Sequence, residues 1–163
     1  MSSMTEALAG RTVLVPRGGA WGERVARLLA DRGAVPVIAP LIETKPPRDL
    51  EARDRFFADL AAGTYDWVFI TSAAAVEHLR AAGIEIPAAT RVAAVGRATA
   101  RAVVDAGFEV DFVPAGRSSA LALTQQWCSA HEPARVGRCL VLRSDLAMAV
   151  VSDELEVRGY DVE

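Results

Sequence analysis

The chain has 163 residues, 52% apolar and 24% charged, with a formal net charge of −3. That length suits one ordinary domain or two small ones, and the apolar share excludes a wholly disordered chain. The acidic balance argues against a broad nucleic-acid-binding surface. No apolar run reaches the roughly 18 residues of a membrane helix. Met1-Ser2-Ser3-Met4-Thr5-Glu6 lacks the basic start and apolar core of a secretory signal. Two cysteines, Cys128 and Cys139, are too few for a disulfide scaffold, so a reducing cytoplasm is expected. Lys45 is the only lysine, and the other 17 of the 18 basic residues are arginines. Base composition explains that bias, and so does a ligand rich in carboxylates or phosphates.

In chain order, short β-branched runs alternate with helical patterns. Thr12-Val13-Leu14-Val15 reads as a strand. Residues 23–30 read as a helix with Val25, Leu28 and Leu29 on one face, stopped by Gly33. Val35-Pro36-Val37-Ile38 is a second strand, and residues 40–47, with three prolines, read as a linker. Residues 50–61 form a helix with Phe56, Phe57 and Leu60 inward. Trp67-Val68-Phe69-Ile70 is a strand apolar on both faces, as in a buried parallel sheet. Thr71-Ser72 opens a helix to Leu79. A strand at 92–95, a turn at Gly96, a helix at 98–106 and a strand at 108–113 follow. Ser118 or Ser119 caps a helix to about Trp127. Residues 139–142 form a strand, 146–157 a helix, and Tyr160-Asp161-Val162 begins another strand. Such alternation predicts a mostly parallel sheet with helices on both faces.

Shifted by 126 positions, the chain matches itself without gaps. Leu14 meets Leu140, Val15 meets Val141, Arg17 meets Arg143, Val25 meets Val151, Leu29 meets Leu155, Arg32 meets Arg158 and Gly33 meets Gly159. Two βαβ units look alike in any case, but the shared arginine after the strand suggests common origin or role. Residues 1–39 supply only two strands and one helix, too little to bury much apolar surface alone. The expectation is therefore a fragment, or a first domain completed by something outside this sequence. The alternative is one sheet of five to seven strands that uses every strand.

Ligands of parallel α/β sheets bind beyond the carboxyl ends of the strands. Four turns there place free amides at helix N-termini: Pro16-Arg17-Gly18-Gly19, Thr71-Ser72-Ala73, Gly96-Arg97-Ala98-Thr99 and Gly116-Arg117-Ser118-Ser119. Such ends attract anions, although Ser, Thr and Gly are also ordinary caps. Arg143 adds a fifth candidate through the repeat. Gly18-Gly19-Ala20-Trp21-Gly22 lacks the dinucleotide-binding order. Cys128, His131 and Cys139 lack a convincing further zinc ligand, so no metal site is expected. No Ser-His-acid set and no paired carboxylates are evident. Any chemistry is then run by holding a reactive polyanion in shape.

The order of these motifs resembles the uroporphyrinogen-III synthase family. The resemblance rests on Val13-Leu14-Val15-Pro16-Arg17, on residues 66–76 (Asp66-Trp67 through Val76), on 92–100 (Val92 through Ala100), on Ala106-Gly107-Phe108 and on 140–147 (Leu140-Val141-Leu142-Arg143 onward). It spans about residues 10–163. It implies an enzyme that cyclises hydroxymethylbilane, a linear tetrapyrrole, to uroporphyrinogen III. The terminal pyrrole is inverted through a spiro intermediate with loss of water, and no cofactor or metal is used.

The implied fold is α/β: a parallel-sheet, three-layer (α/β/α) domain plus part of a second similar discontinuous domain joined by a linker. Residues 1–39 would be the first part of domain 1, 40–47 the linker and 48–163 domain 2. By resemblance Arg17, Thr71, Ser72, Ala73, Gly96, Thr99, Ser118, Ser119 and Arg143 bind substrate carboxylates, and Thr99 is the residue tied to turnover. The implied partner is the tetrapyrrole alone, with no nucleic acid and no membrane. The implied protein is a cytoplasmic monomer when complete, able to associate when truncated. Alanine stands at Ala74 where the family often has asparagine, Ser119-Ala120-Leu121-Ala122 departs from its fifth-helix pattern, and Arg143-Ser144 from its sixth-strand turn. A non-catalytic polyanion-binding module, or an inactive truncated synthase, is the alternative.

Overall fold

A computed structural model describes residues 7–41, 45, 47, 49–143 and 148–163. The chain forms two compact units, Met1–Lys45 and Pro46–Glu163.

In the first unit, β1 (Thr12–Val15) and β2 (Val35–Ile38) pair in parallel across helix α1 (Gly19–Ala30), with Thr12 opposite Val35 and Val15 opposite Ile38. The helix begins four residues before the expected Glu23. Glycine is a poor helix former, which makes the Gly18–Gly22 run look like a turn. Here the missing side chain is what the packing requires: a Cβ on Gly22 would fall 2.0 Å from the Arg17 carbonyl oxygen. Gly33 ends the helix at φ +83°, and the Ala34 amide donates back to the Leu29 carbonyl, the left-handed glycine closure of helix ends. Alternate strand residues share a face. Val15 is buried, whereas Leu14, Val35 and Val37 stand exposed.

The second unit is a three-layer sandwich. Its sheet runs β4 (Arg91–Ala94), β3 (Trp67–Ile70), β5 (Cys139–Leu142), all parallel, with β3 central and buried throughout. Val68 and Ile70 face one core, with Leu60 of α2 (Leu50–Ala61), Val76 and Leu79 of α3 (Ala73–Ala81) and Val103 of α4 (Arg97–Asp105). Trp67 and Phe69 face the other, with Leu123 and Trp127 of α5 (Ala120–Ala130) and Val151 and Leu155 of α6 (Val150–Val157). Period-two alternation of one strand thus feeds two apolar cores. The start of the expected 146–157 helix includes residues outside the described ones.

Two expected strands shrink to single bridges, Phe112 on Ala93 and Val162 on Cys139. At the first, the Asp111 carboxylate accepts the Val92 amide at 2.8 Å, while the amides of Asp111 and Phe112 both donate to the Val92 carbonyl. A side chain takes a ladder position there, and the regular ladder stops. The strand expected at 92–95 shifts by one to Arg91–Ala94, although the Val95 amide still donates to the Ile70 carbonyl. The 3₁₀ turn Pro133–Arg135 links α5 to β5.

Candidate functional site

The carboxyl edge of the second unit's sheet is level. Ile70 pairs with Ala94 on one side and Leu142 on the other. The turns leaving this edge open α3 and α4, and Ser118, just before α5, touches Gly96. No acidic residue stands in the first turn of α3, α4 or α5. Helix starts ordinarily favour Asp and Glu, so three successive starts at one edge without one leave their positive ends uncompensated.

The candidate hydroxyls divide by what they already do. Thr71 donates both its hydroxyl (2.9 Å) and its amide (3.2 Å) to the Leu142 carbonyl, so it closes the sheet edge and offers no donor to a ligand. Ser72 caps α3, its oxygen accepting the Ala75 amide at 3.3 Å. Ala73 opens that helix with a backbone amide alone. Ser119 caps α5, accepting the Ala122 amide at 3.2 Å. Both serines keep their own proton, because the cap uses only a lone pair.

At α4 the arrangement differs. Gly96 is the N-cap and supplies no side-chain cap, so the first amides of α4 are unanswered. Thr99, one turn in, is only 6% exposed. The other two buried threonines satisfy their hydroxyls: Thr90 donates to the Tyr65 carbonyl at 2.7 Å, and Thr124 to the Ala120 and Leu121 carbonyls at 3.1 Å. Thr99 makes no side-chain hydrogen bond, yet its oxygen is not cut off from solvent; among the described residues only Trp127 Nε1 is both sealed and unpartnered. Side chains lean toward the helix N-terminus, so Thr99, at the third position of α4, leans toward the open end of that helix. Exposed arginines flank this end, Arg97 at the first position of α4 and Arg117 in the loop before α5, neither with an acidic partner.

The loop before α5 is fixed twice. Gln126 of α5 holds both polar groups of Ala115, accepting its amide at 2.8 Å and donating to its carbonyl at 3.1 Å. Ser118 rests on Gly96: a Cβ there would lie 2.3 Å from Ser118 Oγ and 2.4 Å from its Cβ. Arg143 follows β5 at the same edge and is exposed. Arg17 belongs to the first unit, where its guanidinium lies 5.6 Å from the Trp21 ring centroid.

Among the described residues no three His, Cys, Asp or Glu side chains converge as a metal site would require. Cys139 is buried and Cys128 half-buried in the aromatic core, where desolvation pushes the Cys139 thiol up to about 12. Both are packing residues. Gly96 and Thr99 stood among the sequence candidates, but no motif marked the Thr99 hydroxyl as unspent, the α4 start as uncapped or Gln126 as a clamp. The absence of acids from the edge turns was visible in the sequence and is the signal that could have ranked them.

A parallel, three-layer α/β unit with three helix starts free of acidic residues at one sheet edge defines the class: a three-layer α/β protein of the parallel-sheet kind. The family model described as uroporphyrinogen-III synthase HemD matches residues 23–163, and the chain belongs to that family. Three solved structures, all of uroporphyrinogen III synthase from Thermus thermophilus, share the fold. A mutant form is 24% identical with a TM-score of 0.66 over 94% of this chain and 60% of its own. A wild-type form is 24% identical with a TM-score of 0.56, over 94% and 59%. A third is 23% identical with a TM-score of 0.53, over 94% and 60%. The chain spans about 60% of the length of the solved structures it matches. No curated protein matches the sequence. No helix among the described residues is long and apolar enough to cross a membrane.

Proposed function

We propose that this protein acts as a uroporphyrinogen-III synthase, a cytoplasmic, cofactor-independent lyase that closes hydroxymethylbilane with inversion of the terminal pyrrole and loss of water. The observation that carries the reading is the α4 start, where the unpartnered hydroxyl of the nearly buried Thr99 and unanswered amides stand with no acidic residue in the first turn. The substrate's carboxylates bind the amides after Gly96 and of Ala73, the protons of Ser72 and Ser119, and the hydroxyls of Thr99 and Ser118, with Arg143 at the same edge. Arg17 offers an anion contact on the first unit. Each amide or hydroxyl on a carboxylate is a charge-assisted hydrogen bond. Held this way, the flexible bilane presents its two ends to one another, and the rate gain is one of proximity and orientation. Thr99 is the residue tied to turnover. Residues 1–39 and 48–163 are the two domain portions joined by 40–47.

A second reading, a polyanion-binding module without turnover, draws on the same edge. Residues 71–75, 95–99 and 113–119 contain no Asp, Glu, His or Cys to move a proton. A coupled assay separates the two. Hydroxymethylbilane is generated in situ, the protein is added, and the oxidised isomers are resolved. Spontaneous closure gives type I, so an excess of type III establishes the synthase. Binding of the tetrapyrrole with type I alone establishes the module.

A further inference from the structure

We infer that a cavity of about 480 Å³ at the amino edge of the second unit's sheet binds a free α-amino acid as its zwitterion. This edge is the one opposite the α3, α4 and α5 starts, and none of their residues takes part. The cavity is lined in part by Asp66, Trp67, Arg91, His131, Glu132 and Arg135, and its volume lies within the range of small-molecule sites. The topology brings these residues together. Asp66 precedes β3, Arg91 opens β4 and His131 closes α5. The Arg91 amide donates to the Asp66 carbonyl at 2.8 Å, which ties the two strand starts side by side.

Three kinds of polar group at this cavity have capacity left over. The first is a pair of opposite charges. Glu132 and Arg135 answer each other at 3.2 Å. Arg91 and Asp66 line the same cavity, yet among the described residues neither has an ion-pair partner. The Arg91 guanidinium lies 5.7 Å from the Trp67 ring centroid. Asp66 accepts only the Gly137 amide, at 2.8 Å on Oδ2, which leaves Oδ1 open. The second is an indole N–H. Trp67 is 4% exposed and its Nε1 makes no hydrogen bond, but that atom is not sealed as Trp127 Nε1 is. The third is the His131 ring. Its Nδ1 lies 2.8 Å from the Trp127 carbonyl, which can only accept, so the proton sits on Nδ1 and Nε2 of the neutral ring is an acceptor. The ring is held by stacking on Trp127 at 4.5 Å and by an edge contact with Trp67 at 4.9 Å. A carboxylate answers Arg91 and the Trp67 N–H, and an ammonium answers Asp66 and the His131 acceptor. A lone anion would meet Asp66 as a like charge, and a lone cation would meet Arg91. A ligand with both charges on neighbouring atoms satisfies the set, and the aromatic wall receives its side chain.

The test uses the full chain, L-phenylalanine as probe and the indole N–H signals of Trp21, Trp67 and Trp127 in a nitrogen-15 NMR spectrum as readout. L-Phenylalanine is expected to shift the Trp67 signal saturably and to leave that of Trp21 in place. Phenethylamine and 3-phenylpropionate each carry one of the two charges. Each is expected to bind at least about tenfold more weakly, the loss of one charge-assisted contact. Arg91→Gln should weaken L-phenylalanine about tenfold and not weaken phenethylamine. Asp66→Asn keeps an acceptor for the Gly137 amide; it should weaken L-phenylalanine alike and not weaken 3-phenylpropionate. Both side chains are exposed, so melting temperatures of the two variants should stay close to wild type. A Trp67 signal that no probe moves overturns the site. Binding of 3-phenylpropionate as tight as that of L-phenylalanine overturns the zwitterion as its ligand. Wild-type affinity for L-phenylalanine in both variants overturns the roles given to Arg91 and Asp66.

Discussion

Leu14 and Leu140 hold the same place in two strand–helix–strand units 126 residues apart, yet Leu14 is 55% exposed and Leu140 2%. The units agree in register: Val13 pairs with Pro36, and Cys139, its counterpart, bridges Val162. What differs is the company. Leu140 lies in the core made with Leu60, Val76 and Leu79, whereas among the described residues α1 is the one helix of the first unit packed on β1 and β2. The cost of truncation should follow. Leu140→Ala is expected to destabilise by about 2–5 kcal/mol, and Leu14→Ala by less than about 1 kcal/mol. Urea titration of both variants measures the gap, and equal losses would mean that Leu14 is covered in solution.

Stability should fall in alkali. Burial first, and the Asp66 and Asp161 carboxylates second, push the Cys139 thiol from 9.0 to about 12. Burial first, then Cys128, pushes the Tyr160 phenol from 10.0 to about 12. Burial and its 2.6 Å hydrogen bond to Glu163 also raise Tyr65. In each case the native state holds a proton that the unfolded chain releases earlier. The stabilisation is complete below about pH 9 and is lost as pH rises toward 12. Urea midpoints at pH 8, 9.5 and 11 should decline in that order. A flat series contradicts this account of the aromatic core.

The sheet was legible because buried parallel strands carry an unmistakable composition: Trp67-Val68-Phe69-Ile70 can serve only a sheet covered on both sides. Helix ends were legible through Gly33 and Gly107, both at positive φ. The helix start at Gly19 was not, because Gly22 is chosen for its contact with the Arg17 carbonyl rather than for propensity. The strand at 108–113 was overread because pattern alone does not reveal that the Asp111 side chain intercepts the ladder. The site turns were legible as helix starts. Which hydroxyls were spent was not: Thr71 looks like a ligand residue in sequence and proves to be tied to Leu142, 71 positions away.

Adjacent serines should separate cleanly. Ser119 accepts the Ala122 amide and caps α5, while Ser118 has no partner within the fold. Ser119→Ala is expected to cost about 1 kcal/mol of stability, the usual loss of a serine cap. Ser118→Ala should lie within about 0.5 kcal/mol of wild type. Chemical denaturation of the two variants decides, and the reverse order would misplace the cap.

The sharpest contrast lies between Thr99 and Thr90. Both are buried, but Thr90 donates to the Tyr65 carbonyl at 2.7 Å and Thr99 donates to nothing in the fold. Valine matches threonine in shape and removes only the hydroxyl. Thr90→Val leaves the Tyr65 carbonyl without its donor, at an expected cost of about 1–3 kcal/mol. Thr99→Val removes no internal bond and exchanges a polar group for an apolar one at a buried position, so stability should hold or rise. Calorimetric affinity for uroporphyrin III, an octacarboxylate, should fall about ten- to a hundredfold, the loss of one charge-assisted bond, and Thr99→Ser should recover most of it. A Thr99→Val variant as destabilised as Thr90→Val would show that this hydroxyl serves the fold. Unchanged stability with unchanged affinity would move the ligand away from the α4 start altogether.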